Sequence, residues 1–165
     1  MLVALDQFCS WLEKTPVSIA LQTAEWIIPT VQTVHIMAIG LVMSAVLMID
    51  LRLMGWAWAE QPLTRVAARF MPVVWRTLPV LLLTGLVMII AEPARSLENG
   101  AFQLKMLLLA LVVACTVVVS RRIGANRWNA SSGWLRRGFP VLSLVLWVGI
   151  VFAGRWIAYI DVDAA

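Results

Sequence analysis

The stretch Q-T-V-H-I-M-A-I-G-L-V-M-S-A-V-L-M-I-D-L-R-L-M-G, residues Gln32 to Gly55, decides the fold. It is apolar enough to cross a bilayer, yet it opens with Gln32 and His35 and closes with Asp50 and Arg52. Ionisable side chains at membrane depth are costly, so they face protein or a water-filled cavity and take a partner there. His35 is the only histidine in the chain. A span that carries such groups needs other spans around it.

The remaining sequence supplies them. Of 165 residues, 62% are apolar and 13% charged, against about half and about a quarter in soluble domains. The apolar residues come in runs of spanning length. Spans are expected at about residues 27–49, 71–91, 102–120 and 139–159, with Pro72 and Pro79 in the second and Gly149-x-x-x-Ala153-Gly154 in the fourth. Small residues in that pattern let a neighbouring helix approach closely. Residues 2–14 have apolar positions at Leu5, Phe8, Cys9 and Leu12 among Asp6, Glu13 and Lys14, the spacing of a helix lying in the interface. The expected fold is all-α: one domain over residues 1–165, an integral membrane four-helix bundle with an N-terminal interfacial amphipathic helix.

Charge sets the expected orientation. Arg52, Arg65, Arg69, Arg76, Arg121, Arg122, Arg127, Arg136 and Arg137 fall on one side of the spans, and Lys14, Arg95, Lys105 and Arg155 on the other. Basic loops stay in the cytoplasm, so both termini are expected in the periplasm of a bacterial inner membrane. Trp11, Trp26 and Trp156 would mark the outer boundary, and Trp56, Trp58, Trp128 and Trp134 the inner one. The formal charge of +4 is thereby explained by topology, and a nucleic-acid partner is not expected. Cys9 and Cys115 are far apart and read as small apolar residues. There is no Walker loop, G-x-G-x-x-G, H-E-x-x-H or C-x-x-C, so the chemistries those motifs carry have no support.

Depth gathers the candidate site. His35 lies eight residues past Ile27, about 12 Å below the outer boundary at the rise of a helix. Lys105 and Arg155 lie near the same boundary on other spans, and Tyr159 lies at it. Helical phase puts Gln32 on the polar stripe of the first span. An imidazole beneath two cations in an apolar bundle suits an anionic ligand: His35 can ligate a metal or haem iron, and Lys105 and Arg155 can hold carboxylates such as haem propionates. At the other end, Asp50 with Arg52 or Arg76 would form a structural charge pair. Met37, Met43, Met48 and Met54 read as core packing.

Five pieces of sequence carry a resemblance: His35 with Gly40, Asp50-Leu51-Arg52-Leu53-Met54-Gly55, Thr84-Gly85, Asn99-x-x-Phe102-x-x-Lys105, and Gly154-Arg155-x-x-Ala158-Tyr159. Over nearly its whole length the chain resembles a family of uncharacterised four-span bacterial membrane proteins. The layout is more distantly similar to the HemJ-type protoporphyrinogen oxidases and to CopD-like membrane proteins. The HemJ resemblance implies haem b, with a histidine on an early span and a lysine at the start of a later one, as His35 and Lys105 are. Gln32 stands where that type has a lysine, and the span of Lys105 has no histidine.

The expected function is a membrane protein binding a cofactor or anionic ligand, with haem b the leading candidate, in an outer-leaflet site within the bundle. An accessory or structural subunit without chemistry is the alternative, and a small-solute or metal-ion carrier the third. The expected partners are the lipid bilayer and a second copy or another membrane subunit. The residues name no reaction.

Overall fold

The computed structural model of the chain describes residues 2–125, 127–128 and 133–156. These form seven helices and no strand: α1 Leu2–Glu13, α2 Pro16–Thr23, α3 Ile27–Met54, α4 Leu63–Ala91, α5 Pro93–Leu97, α6 Gly100–Gly124 and α7 Gly133–Trp156. Helices α3, α4 and α6, with the Arg137–Trp156 part of α7, are long and apolar enough to cross a membrane. The protein is an all-α, multi-pass bundle of the kind the sequence predicts. Helix α3 ends about one and a half turns beyond the expected span, at Met54, and α4 starts about two turns before it, at Leu63. The end of the expected fourth span, residues 157–159, lies outside the described residues.

Local chemistry explains the boundaries. Thr15 caps α2 through its side-chain oxygen, which accepts from the Ser18 N–H at 3.3 Å, and Pro16 occupies the first turn. Asn99 caps α6 in the same way, accepting from the Ala101 N–H at 2.9 Å. At the end of α3, Gly55 adopts φ +79°. Its N–H bonds the Arg52 carbonyl, and the Trp56 N–H bonds that of Leu51. This paired closure needs a left-handed residue, which glycine supplies without strain.

The four long helices pack as a square. Helix α3 lies against α4 and α7, and α6 completes the square against α7 and α4, so α3 and α6 stand diagonally. Val42, Ala45, Val46, Val74, Val112, Trp147 and Ile150 fill the middle. A second apolar layer of Ala67, Val119, Ile123 and Trp128 closes the end where α3 finishes. Trp128 is only 4% exposed and packs edge-on against Phe139. It is therefore a core residue, not the boundary anchor expected from sequence, whereas Trp11, Trp26, Trp56 and Trp156 are all exposed. Gly149 and Gly154 sit against α6, at Leu108 and Lys105, which is the close approach their spacing implies.

The short helices gather at the other end. Helix α1 packs on α5, and α2 on α4. The Gln22 amide donates to the Ala91 carbonyl at 2.8 Å, one of the carbonyls a helix end leaves without an internal partner. Cys9 is buried on the inner side of α1, while Phe8 and Trp11 remain exposed on its outer side.

Candidate functional site

His35 is the first buried residue of α3 and is 8% exposed. Its Nδ1 lies 2.7 Å from the Thr84 hydroxyl on α4. That hydroxyl also lies 2.7 Å from the Val80 carbonyl and 3.2 Å from that of Leu81; with its one proton given to a carbonyl, it accepts from the imidazole. In that arrangement Nδ1 carries the proton and Nε2 the lone pair. Gly85, the next residue, gives the ring room: a methyl group added there would lie 3.7 Å from His35 Cε1.

Lys105 reaches the same region from the diagonal helix and acts electrostatically on the imidazole. Its chain crosses the face of Gly154 on α7, where an added methyl would meet Nζ at 3.6 Å and Cδ and Cε at 3.7 Å. All four long helices therefore contribute to one layer: His35 from α3, Thr84 and Gly85 from α4, Lys105 from α6 and Gly154 from α7. The layer presents an imidazole lone pair and an ammonium group across an apolar bundle. Such a pair can take a ligand that coordinates or donates at Nε2 and carries negative charge near Lys105.

The other candidates divide. Arg155 follows Gly154 at the same level, with an exposed side chain. Gln32 is exposed because no residue of α3 before His35 is buried. Tyr159 lies outside the described residues. Thr84 escaped the sequence reading as a site residue. Its signal was its depth, seven residues before Ala91, which on an antiparallel neighbour matches His35.

The expected pairing of Asp50 with Arg52 or Arg76 is not formed. Asp50 is 2% exposed, and its side chain is hydrogen-bonded with Ser143 of α7, while Oδ2 is buried without a hydrogen-bond partner. Arg52 donates instead to the Gln61 carbonyl, from Nε at 2.9 Å and Nη2 at 2.6 Å, and Arg76 is exposed. Residues two apart on a helix face nearly opposite ways: Asp50 points into the bundle and Arg52 out to the loop.

Among the described residues no three His, Cys, Asp or Glu side chains come together as a metal cluster. Residues 8–160 match one protein family, described as a family of unknown function (DUF6644). No curated protein and no solved structure matches the chain.

Proposed function

The chain belongs to this family of unknown function, and from its own side chains we propose that it is a membrane protein binding an anionic ligand or cofactor between His35 and Lys105. The observation that carries the reading is the hydrogen bond from Nδ1 to Thr84. An imidazole oriented through one nitrogen presents the other, as ligating histidines do.

Haem b is the specific candidate. A bare metal ion would find one imidazole and too few further ligands among the described residues, whereas a haem brings four nitrogens of its own and would need little more than one ligand from the protein. His35 would supply that ligand, and Lys105 a cation for a propionate, with Arg155 a second. When bound, haem would supply one-electron chemistry. Nitrogen orientation by Thr84 and exclusion of water by the bundle are the contributions of the protein itself.

The apolar layer of Val42, Ala45, Val46, Val74, Val112, Trp147 and Ile150 weighs against a solute carrier, because it leaves no polar path along the axis. The accessory-subunit reading becomes the leading one if no ligand is found. In our reading the His35 end faces the periplasm of a bacterial inner membrane, because the arginine-rich loops lie at the other end.

Expression with haem supplied tests this. The wild-type protein should purify with a Soret band, His35→Ala should abolish it, and Lys105→Ala should weaken haem retention without removing the iron ligand. A colourless wild-type protein without stoichiometric metal refutes the cofactor reading.

A further inference from the structure

The half of the bundle away from His35 holds a second set of buried polar atoms. Asp50 and Ser143, hydrogen-bonded to each other, are 2% and 5% exposed. Asp50 Oδ2 and Trp147 Nε1 are both buried without a hydrogen-bond partner. Trp147 lies one turn from Ser143 on the same face of α7. A carboxylate oxygen accepts and an indole N–H donates, so the two atoms have opposite needs. A water molecule can satisfy either need, and buried water is the usual answer to polar groups left over inside a fold.

A cleft of about 570 Å³, lined by Leu53, Met54, Arg137 and Val141 among others, opens at the same end. Met54 lies one turn beyond Asp50 on the same face of α3. In the opposite direction Val46, Val42, Ala45 and Ile150 close the bundle. The surrounding cations do not neutralise the carboxylate. Arg52 is turned to Gln61, and Arg65, Arg69 and Arg76 on α4 and Arg121 and Arg122 on α6 are exposed. Arg137 on α7 lines the cleft. The buried residues of α4 and α6 are uncharged. His35 is about 22 Å away along α3 at 1.5 Å per residue.

We propose that Asp50 is a proton-binding site, with a water molecule bridging Oδ2 and Trp147 Nε1 and the proton exchanging through the cleft. A carboxylate only accepts hydrogen bonds, and a protonated carboxyl also donates. Loading therefore turns Oδ2 from acceptor to donor and reverses the bridging water. The proton comes from water in the cleft and returns to it, so no electron moves.

Infrared spectroscopy of the full chain in lipid nanodiscs, across a pH series in H₂O and D₂O, tests the proposal. The wild type should show the carbonyl stretch of a protonated carboxyl that shifts in D₂O and disappears as pH rises. Asp50→Asn should lose that band. Trp147→Phe, which removes only the indole donor, should move it to higher frequency, and this variant decides the assignment if Asp50→Asn does not fold. Met54→Trp, filling the cleft, should slow the D₂O shift. Absence of a protonated-carboxyl band, or a band that survives Asp50→Asn or ignores Trp147→Phe, overturns the proton site. An exchange rate unchanged by Met54→Trp overturns the route.

Discussion

A threonine hydroxyl can donate only once, and where that single proton goes decides how His35 is held. Given to the carbonyl of Val80 or Leu81, it leaves the hydroxyl to accept from the imidazole. Thr84→Val keeps the shape and removes the acceptor. The imidazole N–H would then be left unpaired in an apolar layer, which costs about 1–3 kcal/mol. Melting in detergent should fall accordingly, and any ligand at Nε2 should be held less tightly. An unchanged melting temperature would mean that the imidazole finds another acceptor. The shared level of His35 and Lys105 was legible because depth can be counted from the span ends. The Asp50–Arg52 pair was misread because adjacency in sequence was taken for adjacency in space. Two residues along a helix is nearly half a turn, and Arg52 serves the loop that follows.

The short helices show what a segment too charged to span contributes. Helix α1 buries Cys9 against the region of Glu98 and leaves Phe8 and Trp11 outside. Burial first, and then the carboxylate of Glu98, push the Cys9 thiol above its ordinary range. The folded protein thus holds the thiol protonated. This favours the fold below the ordinary thiol range, and the contribution is lost as pH rises above that range and through the raised titration of the folded protein. Cys9 should resist maleimide at neutral pH while the protein is folded, and react on unfolding. Gln22→Ala removes the amide that holds α2 to the end of α4, at a cost of about 1 kcal/mol, and should speed labelling of Cys9. Equal labelling rates in the two proteins would show that α1 and α2 are not held as one unit. The amphipathic spacing made α1 readable from sequence. Its docking on α5 was not, because a five-residue helix such as Pro93–Leu97 leaves no periodic signal.

On the scale of the molecule, four pieces of sequence far apart in the chain meet in one layer. Thr84-Gly85 seats the imidazole, Asn99 starts the helix that carries Lys105, and Gly154 gives that lysine its path. Gly55 and Arg52 build a helix end and a loop, so much of the D-L-R-L-M-G piece is structural. Apolar run length disclosed the bundle. The square order of its helices depended on side-chain fit and could not be read from the runs. Orientation rests on nine basic residues against four. A reporter in the Arg121–Arg137 loop should behave as cytoplasmic and one after Ala165 as periplasmic; the reverse at both positions would invert the site. The most direct measurement of the central claim uses the fact that the chain has a single histidine. Nitrogen NMR of the untagged, ¹⁵N-histidine-labelled protein in nanodiscs should show one neutral imidazole protonated at Nδ1, with an unprotonated Nε2 whose signal moves when haem is added. An imidazole protonated at Nε2, or an Nε2 signal unmoved by haem and changed by no anionic ligand, would contradict the site described here.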